Sequence, residues 1–131
     1  MAKRKRKFNA RKVEVEGIVF DSRLEAECYL HFRAACQLGT RFKLELQPVF
    51  ELIPTQRPHA GKTLKKHTYT ADFRITGPDT DIVIDVKSPA TAEKRDFVIN
   101  EKLMLHTQGI LIVRVTSPNE AAQLMEGLKY A

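Results

Sequence analysis

Cysteine is scarce, long apolar runs are missing and no segment repeats, and each lack removes a class of protein. The two cysteines, Cys28 and Cys36, fall in one helical stretch. At about 1.5 Å rise per residue their backbones stand roughly 12 Å apart, beyond the reach of a disulfide. With no second pair and no Cys/His cluster, the sequence argues against a disulfide framework and a structural zinc site. The thiols read as core or near-core residues of a reducing compartment. The four histidines, His31, His59, His67 and His106, show no ligand spacing such as HxxxH and receive no catalytic role. No apolar run approaches the roughly 18 residues of a membrane span, and the lysine-rich start lacks the apolar segment of a signal peptide. A soluble, cytoplasmic chain with no membrane partner and no small-molecule cofactor is expected. Its 131 residues suffice for one core but not two.

Charge is present in abundance but unevenly. The formal net charge is +6, and residues 1–12 (MAKRKRKFNARK) hold seven of the 22 Lys and Arg with no acid. The remaining 15 bases face 16 acids, so the whole excess sits in this arm. Blocks of like charge are usually disordered, which divides the chain into a basic arm, 1–12, and a domain, 13–131. A solvated tail and a phosphate-binding arm are both compatible with Lys3, Arg4, Lys5, Arg6 and Lys7. A second basic stretch, Thr55 to His67, places Arg57, Lys62, Lys65 and Lys66 around Pro58 and Gly61. It reads as an exposed loop.

The organisation follows from turns and periodicity. Val13–Val15 and Ile18–Phe20 alternate around Glu16-Gly17 as a small hairpin or a broken strand. Asp21 or Ser22 caps a helix running to about Leu38, with Gly39 ending it. Lys43 to Leu52 keeps strand parity, although Pro48 marks an edge or a bulge. A second helix spans about Ala92 to Thr107 and stops at Gly109. It leads into an apolar strand, Ile110 to Val115, so that a right-handed parallel crossover is expected. Ser117-Pro118-Asn119-Glu120 opens a last helix with a capping box and Pro at its first position. The sum is an α/β fold, a mixed β-sheet core with flanking helices.

The most informative stretch is YTADFRITGPDTDIVIDVK, Tyr69 to Lys87. Two alternating runs flank Gly77-Pro78-Asp79, and a turn centred between Pro78 and Asp79 makes them a hairpin. It pairs Ala71 with Val86, Phe73 with Ile84 and Ile75 with Ile82 on an apolar face. The other face receives Asp72 opposite Asp85 and Thr70 opposite Lys87. Aspartate is depleted in strands, and opposed like charges are destabilising unless neutralised. Two solvated strand residues are the bland alternative; a divalent cation held by oxygen ligands is the functional one. Lys87 shares parity with Asp85, and Gln47 shares it with Glu45. Glu25 is open to two readings: Ser22-Arg23-Leu24-Glu25 fits a capping box, yet Glu25 shares a helical stripe with Tyr29 and Phe32. Lys102 reads as a solvated helix residue or a phosphate contact.

Asp72, twelve residues, Asp85, one residue and Lys87 resemble the signature of the PD-(D/E)XK nuclease superfamily, with Ala71 where that family often has Pro. Within it, four ordered motifs resemble a group of small phage proteins of unknown function. They are FDSRLEA from Phe20, LQPVFEL from Leu46, YTADF from Tyr69 and DVK from Asp85. The resemblance implies a restriction-endonuclease-like sandwich that binds and cuts DNA. It implies that Asp72, Asp85, the Val86 carbonyl and Glu25, directly or through water, hold Mg²⁺ or Mn²⁺. Glu25, Asp72, Asp85 and Lys87 are thus its catalytic set, with Lys87 positioning the nucleophile. Beside such a core the basic arm and the Thr55–His67 loop become phosphate contacts. The resemblance admits branched DNA such as a Holliday junction as one substrate, and symmetrical cutting of a junction would require a homodimer. The alternative is a non-catalytic DNA-binding or packaging accessory protein on the same fold.

Overall fold

The computed structural model describes residues 11–37, 40–88 and 94–129. A tight hairpin begins it, with β1 (Val13–Val15) antiparallel to β2 (Ile18–Phe20). Its two turn residues both take positive φ, 53° at Glu16 and 82° at Gly17, the backbone that two-residue hairpins require and that glycine adopts without strain. Helix α1 (Arg23–Ala35) follows, capped by Ser22, whose Oγ accepts from the Glu25 N–H at 3.0 Å. It ends at Cys36, whose N–H bonds to Phe32 and Arg33, short of the expected Leu38. Leu38 and the proposed stop at Gly39 lie outside the described residues, as do residues 1–10 of the basic arm. Lys12, at the arm's end, is paired with Asp21 at 3.1 Å.

A four-stranded sheet is ordered β3 (Lys43–Leu46), β6 (Phe73–Gly77), β7 (Thr80–Val86) and β8 (Val113–Val115). The first three are antiparallel, and β8 runs parallel to β7. Helix α2 (Arg95–Gln108) makes the crossover and stops at Gly109 in the left-handed conformation, φ 71°. The expected start at Ala92 lies outside the described residues. Strand β8 is shorter than the apolar run Ile110–Val115 because only Ile84–Val86 pair with it. Helix α3 (Pro118–Lys129) closes the chain. Ser117 Oγ accepts from the Glu120 N–H at 3.1 Å, and the Glu120 carboxylate reaches back to the Thr116 N–H at 2.6 Å. The capping box is therefore formed, one residue wider than the usual reciprocal bond.

Strands β4 (Val49–Ile53) and β5 (His67–Thr70) form a separate antiparallel pair. Their register nevertheless continues that of β3 and β6: Leu46 lies opposite Phe73 and Val49 opposite Thr70. The two pairs are one long ribbon bent at Gln47-Pro48 and Ala71-Asp72. Its near half belongs to the main sheet, and its far half folds away over the second face. Beyond β4 and β5 it extends as a hairpin closed by two bonds between Gln56 and Leu64, at 2.8 and 2.9 Å.

Both faces of the sheet are therefore covered. On the first, Phe73, Ile75 and Ile84 pack with Ala26, Cys28, Tyr29 and Phe32 of α1 and Ala121, Met125 and Leu128 of α3. Phe73 meets the Phe32 ring edge-on at a centroid distance of 4.9 Å. On the second, Val83 packs with Phe50, Leu52 and Tyr69 of the bent ribbon and Phe97 and Met104 of α2. The face expected to carry the chemistry is thus itself a core, which sets aside the bland reading of a solvated sheet face. Strand β7 supplies side chains to both, which is why Val83, Ile84 and Asp85 are buried in succession. Among the described residues no helix is long and apolar enough to cross a membrane.

Candidate active site at the fork of the ribbon

The ribbon forks where Gln47 takes a left-handed backbone, φ 49°. Its N–H donates to the Asp72 carbonyl at 2.9 Å, and the Ala71 N–H donates to the Pro48 carbonyl at 3.0 Å, so the bend is bonded from both strands. The other edge of the chain changes partner. The Asp72 N–H reaches the Ile84 carbonyl at 3.2 Å, and the ladder between β6 and β7 ends at Phe73 and Ile84. The next donor, the Val86 N–H, is taken by Asp72 Oδ2 at 2.8 Å. This is a bulge, one residue out of step with the ladder.

The bulge corrects part of the expected pairing. Phe73 with Ile84 and Ile75 with Ile82 hold. Asp72 and Asp85, however, are not register partners, and Thr70 pairs with Val49 rather than Lys87. Ala71 leaves the Phe73 face for the second core instead of meeting Val86. Asp85 lies beside Arg114 of β8 in the parallel register. The two aspartates still come together, across the fork instead of across a ladder. The Asp72 carboxyl is pushed from the ordinary 3.8 up to about 8. Burial is the largest cause, followed by the charge of Asp85, a hydrogen bond to Asp85 and the charge of Glu25, with the Val86 N–H opposing.

Asp85 is only 3% exposed. Its Oδ2 accepts a hydrogen bond from the Tyr69 hydroxyl, and its Oδ1 lies 3.3 Å from Lys87 Nζ. Burial and the neighbouring Asp85 push the Tyr69 phenol upward, which keeps it a donor. Lys87, 30% exposed along its side chain, lays its ammonium 5.1 Å from the Phe97 ring centroid. On the same ring, at 5.2 Å, sits the guanidinium of Arg114, which grips Glu101 through two bonds of 2.7 and 2.6 Å.

Glu25 forms half of the expected capping box and lies near the aspartates. Its N–H fills the Ser22 cap, and the backbone of Asp21 helps hold its carboxylate. Yet the residue is only 7% exposed and feels the charges of Asp85 and Lys87. Its carboxyl is raised, first by burial, then by Asp21 and Asp85. The acids are felt as far as Cys28, whose thiol rises to about 12, chiefly by burial and then through Glu27, Glu25 and Asp72. Among the described residues no three His, Cys, Asp or Glu side chains already form a metal-holding group. Glu25 stands to the aspartates as an electrostatic neighbour.

Among the other candidates, Val86 enters through its N–H. Gln47 is exposed and acts at the fork through its backbone, and Lys102 is exposed on α2. Arg57, Lys62, Lys65 and Lys66 are exposed on or beside the hairpin extension, with Lys66 Nζ 4.0 Å from Glu51. Lys3, Arg4, Lys5, Arg6 and Lys7 lie outside the described residues. Sequence reasoning missed Tyr69 and the Glu101–Arg114 pair. A signal for Tyr69 is its place at the head of the YTADF motif, three residues before Asp72.

A family model, described as a protein of unknown function (DUF1064), matches residues 5–111. The chain belongs to the DUF1064 family. No curated protein and no solved structure matches it.

Proposed function

We propose that this DUF1064 protein is a metal-dependent DNA endonuclease with a PD-(D/E)XK-type centre on a restriction-endonuclease-like fold. The observation that carries this reading is the crowded pair of acids, Asp85 buried and Asp72 half-buried beside it with its carboxyl held well above the ordinary range, and Lys87 against Asp85. A protein that only bound nucleic acid would gain nothing from crowded carboxylates that repel phosphate, whereas a hard divalent cation neutralises them. The donor set fits such a cation, being oxygen throughout. Asp72, Asp85 and the Val86 carbonyl would hold Mg²⁺ or Mn²⁺, with Glu25 joining directly or through water. Bound there, the ion supplies a Lewis acid for charge developing on the scissile phosphate and lowers the pKa of a water.

The chain's own groups do the rest. Tethered by Asp85 and the Phe97 face, Lys87 orients the attacking water and adds positive charge at the phosphate. The Arg57–Lys66 hairpin extension, projecting from the half of the ribbon that folds away, meets backbone phosphates without reading bases. The test is incubation of the purified protein with linear, single-stranded, flapped and four-way DNA in Mg²⁺, Mn²⁺ or EDTA. Cleavage in either ion and none in EDTA is expected. Salt-dependent retention of DNA without cleavage would instead establish an accessory binding protein.

Two variants probe the parts. Glu25→Gln keeps a hydrogen-bonding side chain and the N–H that fills the cap while removing a carboxyl held above its ordinary range, so its thermal melt in EDTA should match or slightly exceed wild type while cleavage falls at limiting metal. Wild-type rates at every metal concentration would confine Glu25 to the cap. Changing Arg57, Lys62 and Lys65 together to Ala should leave the melt unchanged and make log K against log salt shallower by about 0.9 for each phosphate that these side chains neutralise. An unaltered slope would move the phosphate-binding role elsewhere.

A further inference from the structure

Tyr69 has a position that packing alone does not explain. Its ring is buried with Phe50, Leu52, Val83 and Phe97 in the second core, and its hydroxyl is spent on one oxygen of Asp85. Each aspartate at the fork is tied to the protein in the same way, Asp72 through Oδ2 to the Val86 N–H and Asp85 through Oδ2 to Tyr69. Without these ties each carboxyl group would be free to turn, because it rotates about a broad torsional minimum. Lys87 cannot fix Asp85 by itself, since its flexible stem is partly exposed.

We propose that Tyr69 is a positioning residue of the cation centre, its hydroxyl locking the Asp85 carboxylate so that Oδ1 remains the oxygen offered beside Lys87. The inference rests on the proposed metal-dependent function and adds to it a group that touches neither ion nor DNA. The far half of the ribbon thereby acquires a purpose: folding over the second face brings β5 to the end of β7 and the phenol to Asp85. Outer groups that orient a ligand in this manner are worth about 10- to 100-fold in metal affinity.

The experiment is calorimetric titration of Mn²⁺ into metal-free protein, comparing wild type, Tyr69→Phe and Phe50→Leu, with a thermal melt of each in EDTA. Tyr69→Phe keeps the ring and removes only the hydroxyl. It is expected to fold and to bind Mn²⁺ about 10- to 100-fold more weakly. Phe50 lies opposite Tyr69 in the ribbon, and Phe50→Leu should lower the melt but keep wild-type affinity. Wild-type affinity in Tyr69→Phe overturns this inference alone, whereas failure of the wild type itself to bind Mn²⁺ overturns the parent reading with it. Collapse of the fold in Tyr69→Phe, or an equal loss of affinity in Phe50→Leu, would make the residue a packing element and also overturn the proposal.

Discussion

Asp72→Asn is expected to reduce metal-dependent cleavage about a thousandfold, the equivalent of several kcal/mol of lost metal-assisted stabilisation, while making the metal-free protein more stable. The gain should depend on pH, and its sign follows from the direction of the shift. The Asp72 carboxyl titrates at about 8 in the folded chain and at the ordinary 3.8 when exposed. Between these values the folded state holds a proton that the unfolded state releases, so wild-type stability declines as pH rises through that window. The variant has no such proton, and the amide oxygen that replaces the carboxylate can still accept from the Val86 N–H. The stability difference between variant and wild type should therefore be small near pH 4, grow up to about pH 8 and level off above it. Urea melts in EDTA at about pH 4.5, 6.5 and 8.5 measure it. A flat difference, or a variant less stable at every pH, would mean that Asp72 is a satisfied structural carboxylate.

The same linkage gives the cation a proton to displace. Because Asp72 is protonated over much of the window, Mn²⁺ binding near pH 7 should release up to one proton and tighten as pH rises towards about 8. Calorimetry in buffers of different ionisation enthalpy reads the proton count directly. Release of none would place the bound ion away from Asp72.

Local pattern carries far in this chain, and its failures have a common physical origin. The hairpin of β6 and β7, the caps at Ser22 and Ser117 and the parallel step to β8 follow from turn residues, alternation and helix signals, all of which act within a few residues. The site is legible as composition: two aspartates inside apolar strands, a lysine two residues on, and a glutamate in a helix start. Its geometry is not, because parity counted through Tyr69-Thr70-Ala71-Asp72-Phe73 assumes a regular strand. The bulge at Asp72 shifts the count by one, so Tyr69 and Ala71 pack into the second core while Phe73 packs into the first. A bulge of this kind depends on a third strand and on Gln47-Pro48 bending the partner, neither of which lies in the motif. Counting parity afresh from each side of the fork directs Tyr69 towards the acids. The Glu101–Arg114 pair joins α2 to β8 and is hidden for the same reason, since only tertiary packing brings the two together.

Lys87 offers the sharpest separation of holding an ion from using it. Lys87→Met keeps an unbranched apolar stem against Phe97 and removes the ammonium that lies 3.3 Å from Asp85 Oδ1. If that ammonium acts on the phosphate and the attacking water, kcat should fall by about 10²- to 10³-fold, as for other preorganised charge-stabilising donors. Mn²⁺ affinity should be unchanged or tighter, because a competing positive charge has left the oxygen that the ion would use. Metal-free stability should drop, since Asp85 is nearly enclosed and would exchange a cationic neighbour for a neutral one, and saturating Mn²⁺ should restore it. Single-turnover cleavage, Mn²⁺ titration and melts with and without the ion test these expectations separately. Wild-type cleavage in Lys87→Met would reduce the residue to a strand-end lysine. Weaker Mn²⁺ binding would show that its charge serves to seat Asp85, leaving the water to be oriented by another group at the fork.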